Sequence, residues 1–191
     1  DAVNNPEDPA AGTRQEPLGR ELWIERDDFM EVPAPKYYRL YPGNSVRLRW
    51  AYIITCTEVV KDATGQVVQI NCTYDPATRG GNAPDNRKVK ATIHWVSAAQ
   101  ALPATVRLYD HLFTREDPND TSGLAPGQDW RAYINARSLV TLQAWVEPSL
   151  AQARAGQAFQ FERVGYFCVD RDTQPEALVF NRTVSLKDTW T

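Results

Sequence analysis

Between positions 36 and 50 the chain carries Lys36, Tyr37, Tyr38, Arg39, Tyr41, Arg47, Arg49 and Trp50, and no acidic residue from 32 to 50. Arg47 and Arg49 are two apart. On an extended strand both guanidinium groups then leave from one face, roughly 6–7 Å apart at a rise of ~3.3 Å per residue. Two planar forks at that spacing suit the edge of a nucleobase and a neighbouring phosphate. The tyrosines and Trp50 offer faces on which unpaired bases stack. The same pattern also describes an exposed strand face neutralised by ion pairs above an aromatic core. The residue types alone leave both readings open.

A second constellation is Gln160-Phe161-Glu162-Arg163. On a strand, Gln160 and Glu162 share one face while Phe161 and Arg163 share the other. Gln pairs in a bidentate way with a base, and Arg reaches a phosphate or a purine. Such tetrads are common, so this one adds weight only beside the first.

Catalytic patterns are missing. The chain has no Gly-x-Ser-x-Gly elbow, no phosphate loop ending in Gly-Lys-Ser/Thr and no His-x-x-x-His pair. Glu25, Asp27 and Asp28 read as a solvated strand end rather than an acid/base pair. His94, beside Trp95, reads as a packed structural residue. Cys56, Cys72 and Cys168 have neither zinc-ligand spacing nor the density of a disulfide framework. The three Asn-x-Thr triplets carry little weight without a secretory leader. What remains is a binding module.

The elements that must position these residues are β-strands. ELWIERDDF alternates Leu22 and Ile24 against Trp23 and Glu25, and Tyr41-Pro42-Gly43-Asn44 is a turn signal between extended runs. AYIITCTEVV and VVQINCTY form a hairpin around Ala63-Thr64-Gly65, which sets Cys56 opposite Cys72 as reduced thiols. A polar loop at 73–87 precedes the strand KVKATIHWVS (88–97) and then ATVRLYDHLF (104–113). The polar stretch 114–129 is the expected organisational break. Short helical turns are expected in DWRAYINARS and PSLAQARAGQ. AFQFERVGYFCVDRD and ALVFNRTVSLKDTW supply the last strands. This pattern predicts an all-β barrel or sandwich architecture.

Composition agrees with a binding role of a restricted kind. A net charge of −3 and 24% charged residues argue against binding polyanions through bulk charge. The basic residues are 16 Arg against 5 Lys, a bias that codon usage explains as readily as function. The apolar runs fall far short of the roughly 20 residues of a membrane span. The opening DAVNNPEDPAAGTRQEP reads as a cut through a linker of something longer.

Taken in order, RELWIERDDF, RLYPGNSVRLRWAYIITC, CTYDPATRGG, KVKATIHWVSA, VRLYDHLF, EPSLAQARAGQAFQFERVGYFCVD and FNRTVSLKDTW resemble the C-terminal anticodon-binding region of the glutaminyl-tRNA synthetase family. The resemblance covers nearly the whole chain. It implies two consecutive six-stranded-type β-barrels with short helical turns: residues 1–20 as a linker or extended arm, 21–115 as the first barrel and 116–191 as the second, with strands open to exchange between them. It also implies a glutamine tRNA anticodon stem-loop as partner, neither DNA nor a membrane, and a cytoplasmic monomer. The ATP-using catalytic domain of the class I ligase would lie upstream, so the chain itself would hold no cofactor or metal and be inactive alone.

Residue by residue, the resemblance places Arg39 on the third anticodon base, a guanine, Arg47 and Arg49 on the first base, a pyrimidine, and Gln160 and Arg163 on the middle uracil. Lys36, Tyr38 and Trp50 are the possible supporting contacts. The chain departs from the family at Tyr38, where Lys is frequent, and at Trp50, where Asn is frequent. The nearest alternatives are the related region of an archaeal/eukaryotic-type glutamyl-tRNA synthetase and a non-enzymatic all-β interaction module.

Overall fold

A computed structural model describes residues 1–80 and 83–186. Within them the protein is all-β. Its helical segments are 3₁₀ turns of at most five residues, the longest being Pro148–Gln152, and Trp130–Tyr133 supplies the turn expected in DWRAYINARS. No helix among the described residues is long and apolar enough to cross a membrane. Residues 187–191 of the expected last strand, and Gly81 and Asn82 of the 73–87 loop, lie outside the described residues.

The chain forms two compact units. The first holds Asp1–Ala101 with Glu147–Ser149, and the second holds Leu102–Val146 with Leu150 onward. In the first unit the strands are β1 (Ala2–Val3), β2 (Thr13–Arg14), β3 (Leu22–Ile24), β4 (Ser45–Leu48), β5 (Ile53–Lys61), β6 (Val67–Asp75), β7 (Thr92–Ile93) and β8 (Trp95–Ser97). A four-stranded sheet runs β6-β5-β4-β7, while β3 pairs with β8 and β1 with β2. The segment 88–97 is thus two strands rather than one, changing partners at His94. The stretch 21–29 is also shorter than expected as a strand, because it turns into a 3₁₀ segment at Arg26–Asp28. The first twenty residues are organised rather than linker-like. Their 3₁₀ turn Pro9–Ala11 is capped by the Asp8 carboxylate, and Arg14 donates to Glu16 and Glu147.

The β5–β6 hairpin follows its turn chemistry. Gly65 sits at φ +84, and the Asp62 carboxylate accepts from the Thr64 and Gln66 backbone N–H groups at 2.8 and 2.9 Å. Cys56 and Cys72 stand directly opposite each other as free thiols. Cys56 is buried, and burial raises its thiol, which makes it a poor nucleophile.

In the second unit, β9 (Leu102–Tyr109), β10 (Leu139–Val146), β11 (Ala158–Phe161), β12 (Gly165–Val169) and β13 (Leu178–Ser185) form one sheet in the order β10-β9-β13-β12-β11. Its ladder has two edges, β10 and β11, where a six-stranded closed barrel was expected. The units part at Ala101/Leu102 rather than 115/116 because β9 makes its ladder with β10 and, in parallel, with β13.

Each unit has its own core. Phe29, Leu40, Val46, Leu48, Ile54, Ile93 and Trp95 fill the first. Ala104, Val106, Val146, Phe167, Val169, Leu178 and Phe180 fill the second. These inward side chains fix which alternate residues face out.

Candidate nucleic-acid interface

Val46 and Leu48 are buried in the first core, so Ser45 and Arg47 face the other way. β4 is held on both sides: Arg47 lies opposite Ile53 of β5 and Thr92 of β7, and its N–H bonds the Ala91 carbonyl at 2.9 Å. Arg49 follows as the second residue of the turn Leu48–Ala51. Its N–H still donates to Ile93 at 3.0 Å, and its carbonyl accepts from the Trp95 indole at 2.8 Å. The backbone beneath both arginines is therefore fixed by neighbouring strands, while their side chains remain half-buried at the surface. The Arg49 guanidinium lies 4.6 Å from the centroid of the Trp50 ring, a cation–π arrangement of about 0.5–1 kcal/mol at an exposed site.

Arg39 sits on the loop before β4. Its Nη1 donates to the Asp27 carbonyl at 3.1 Å and lies 3.4 Å from Oδ1 of Asp28. The loop is tied down at both ends. Leu40 N–H bonds the Asp28 carbonyl at 2.9 Å, and the Asn44 side-chain amide donates to the Arg39 carbonyl at 2.7 Å. Asp28 is not part of a solvated strand end: it is 0% exposed. The 3₁₀ turn folds its carboxylate inward, which periodicity over 21–29 does not anticipate.

Two of the three supporting residues fall where a side chain is hard to place. Lys36 (φ +65) is third in the turn Ala34–Tyr37, and Trp50 (φ +61) is third in the turn Leu48–Ala51, each turn closed by a hydrogen bond between its end residues. Gly43 (φ +80) holds the same position in Tyr41–Asn44, as the Pro-Gly signal predicts. Tyr38, 49% exposed, has the Lys90 ammonium 4.5 Å above its ring. Lys90 was not singled out from the sequence. The alternation Lys88, Lys90, Thr92 leading into β7 was the available signal, because Thr92 pairs with Arg47.

In the second unit Phe161 stacks on Phe167 at 4.4 Å and meets Phe180 edge-on at 5.2 Å, which holds the inner face of β11 and β12. Gln160 and its partner Tyr166 face outward and are exposed. The expected sharing of a face by Phe161 and Arg163 does not occur. β11 ends at Phe161, the Val164 N–H closes a turn onto the Phe161 carbonyl at 2.9 Å, and Arg163 is third in that turn with φ +64. Gly165 follows for a different reason. A Cβ there would lie 2.5 Å from the Val184 carbonyl oxygen of β13, so no side chain fits.

His94 is structural, as expected, but polar rather than merely packed. Its Nε2 lies 3.0 Å from Glu147, which also takes the Arg14 guanidinium at 2.9 Å. Burial alone would raise Glu147, yet hydrogen bonds from His94 and Arg14 hold it well below the ordinary range. Its neighbour Glu16 is pushed up to about 8 by burial and by the Glu147 carboxylate. No group of three or more His, Cys, Asp or Glu among the described residues is arranged to hold a metal ion.

Two units thus present Arg, Gln and aromatic side chains on strand faces and tight turns, the texture of a single-strand RNA reader. Residues 1–75 and 92–170 each match a family model described as tRNA synthetases class I (E and Q), anti-codon binding domain. The chain belongs to this family of anticodon-binding domains. Among curated relatives it is similar to the glutamine–tRNA ligases of Nitrobacter hamburgensis (58% identical), Nitrobacter winogradskyi (56%) and Vibrio parahaemolyticus (54%). The alignments cover 98–100% of this chain but 33% of each relative, so the chain spans about a third of their length.

Proposed function

We propose that this chain is the anticodon reader of a glutamine–tRNA ligase, with Arg39 on the third base, Arg47 and Arg49 on the first, and Gln160 and Arg163 on the middle base. A guanine offers N7 and O6 to an Arg fork, which fits Arg39, and splayed single-stranded bases need placed forks rather than a basic surface. That requirement suits a chain of net charge −3. Attachment of glutamine to tRNA with ATP is assigned to the part of the ligase that this chain does not span. The enzyme is placed in the cytoplasm as a monomer.

The observation that carries the reading is where strain is kept. Four non-glycine residues among those described have positive φ, and three of them are Lys36, Trp50 and Arg163. Such conformations cost roughly 1–3 kcal/mol each, persist where the surrounding structure holds them, and cluster at binding and active sites. A plain interaction module would be expected to carry glycine there, as at Gly43.

The test is binding of the chain to glutamine tRNA and to variants altered at each anticodon base. Arg47→Ala and Arg49→Ala are each expected to weaken binding by about 1–3 kcal/mol, mostly against the cognate first base. Equal affinity for cognate and altered anticodons overturns the assignment.

A further inference from the structure

We infer that Asp28 is the positioning residue for Arg39, and through it a determinant of third-base selectivity; this rests on the assignment of Arg39 proposed above. Asp28 is the only fully buried acidic residue among those described, at 0% exposure. Burying a carboxylate is costly unless charge and hydrogen bonds compensate it. Arg39 supplies charge: its Nη1 is 3.4 Å from Oδ1 and is simultaneously held by the Asp27 carbonyl at 3.1 Å.

One nitrogen of the guanidinium is thereby anchored at two points. Nε and Nη2 make no protein hydrogen bond among the described residues, and the side chain keeps 35% of its surface exposed. Those two donors are the pair a guanine O6/N7 edge requires. The anchor is itself rigid. Asp28 lies in the 3₁₀ turn Arg26–Asp28, its carbonyl accepts from Leu40, Met30 N–H bonds the Leu40 carbonyl at 3.1 Å, and Phe29 and Leu40 are core residues. The Tyr37 hydroxyl donates to the same Asp27 carbonyl at 3.0 Å. Core packing on one side thus sets the direction of an Arg fork on the other.

The experiment uses the whole 191-residue chain and glutamine tRNA transcripts altered singly at the first or third anticodon base. Asp28→Asn keeps the shape and removes the charge. It is expected to reduce discrimination at the third base roughly tenfold, the scale of a bidentate base contact, while first-base discrimination stays as in the parent. Arg39→Ala is expected to lose the same selectivity, and the double variant to lose no more than Arg39→Ala alone. If Arg39→Ala loses third-base selectivity and Asp28→Asn keeps it, the inference fails while the function stands. If the parent chain shows no third-base selectivity, the function fails first. Equal loss at both bases in Asp28→Asn marks a merely structural role and overturns the inference. Should that variant not fold, nitrogen-resolved NMR of the parent decides: the Arg39 guanidinium is expected to rotate more slowly than the guanidinium of the exposed Arg171, and equal averaging of the two overturns the idea.

Discussion

The turns Leu48–Ala51 and Phe161–Val164 share one backbone design, a hydrogen bond between end residues around a third residue that is left-handed without being glycine. They place arginine differently. In the first, Arg49 precedes the strained residue, leans on it as Trp50, and has its own backbone tied to β7 and to Trp95. In the second, Arg163 is the strained residue, and the turn is followed by Gly165 pressed against β13. The first arrangement supports its arginine through side-chain stacking and neighbouring strands. The second supports it through close backbone approach. The two sites should therefore fail in different ways.

Gly165→Ala tests the second support and carries the largest expected effect. The added methyl meets a backbone oxygen, so the second unit is expected to lose about 3 kcal/mol or more in denaturant unfolding. Gly43→Ala in the first unit meets nothing within 4 Å and should cost only about 1–2 kcal/mol, from its left-handed φ alone. Equal costs would erase the contrast.

The units should also differ in pH response. In the first unit the folded state keeps Glu16 protonated up to about 8, whereas the unfolded chain releases that proton near the ordinary 4.5. The folded state binds more protons across that window, so this contribution is complete below pH 4.5 and is lost as pH rises toward 8. Glu16→Gln is expected to remove roughly 1–2 kcal/mol of this alkaline weakening, read as a flatter stability–pH curve. In the second unit Asp170 is held below its ordinary value by the Asp172 N–H, the Asn181 amide and Arg107. Its contribution is present above the ordinary 3.8 and is lost as pH falls, the direction it shares with Glu147 of the first unit and opposite to that of Glu16.

The smallest effects are at the left-handed residues themselves. Trp50→Gly is expected to stabilise the first unit by about 0.4–1 kcal/mol while weakening tRNA binding, because Arg49 loses its stacking partner. Arg163→Gly should stabilise the second unit to a similar or lesser degree and weaken the middle-base contact to what Gln160 alone supplies. A Trp50→Gly chain that binds tRNA as tightly as the parent would show that the ring serves neither arginine nor base.

How far this was legible depended on periodicity. The all-β class, the β5–β6 hairpin and the cysteine pairing followed from alternation and turn residues, and Val46 and Leu48 went inward as the pattern of β4 required. Alternation stops informing where a strand stops. Phe161 and Arg163 were assigned one face because nothing in their identities announces a turn, and Arg is a poor candidate for φ +64. Asp28 was misread for a related reason: a charged residue at an apparent strand end defaults to solvent, and local alternation does not reveal a long-range partner such as Arg39. The division between units was hidden because β9 finds β13 more than seventy residues later in the chain.

That last pairing bears on how the molecule is made. β13 occupies the middle of its sheet, parallel to β9 on one side and antiparallel to β12 on the other. On a ribosome, β9, β10, β11 and β12 all emerge before the strand that must lie between them. Until residues 178–185 clear the exit tunnel, β9 and β12 each have an open edge, and Phe167 lacks Phe180 beside it in the core. Such late closure slows folding and leaves pairing edges exposed in the meantime. A nascent chain stalled just short of Leu178 should accordingly expose this half to protease while β4, β5 and β6 are already paired.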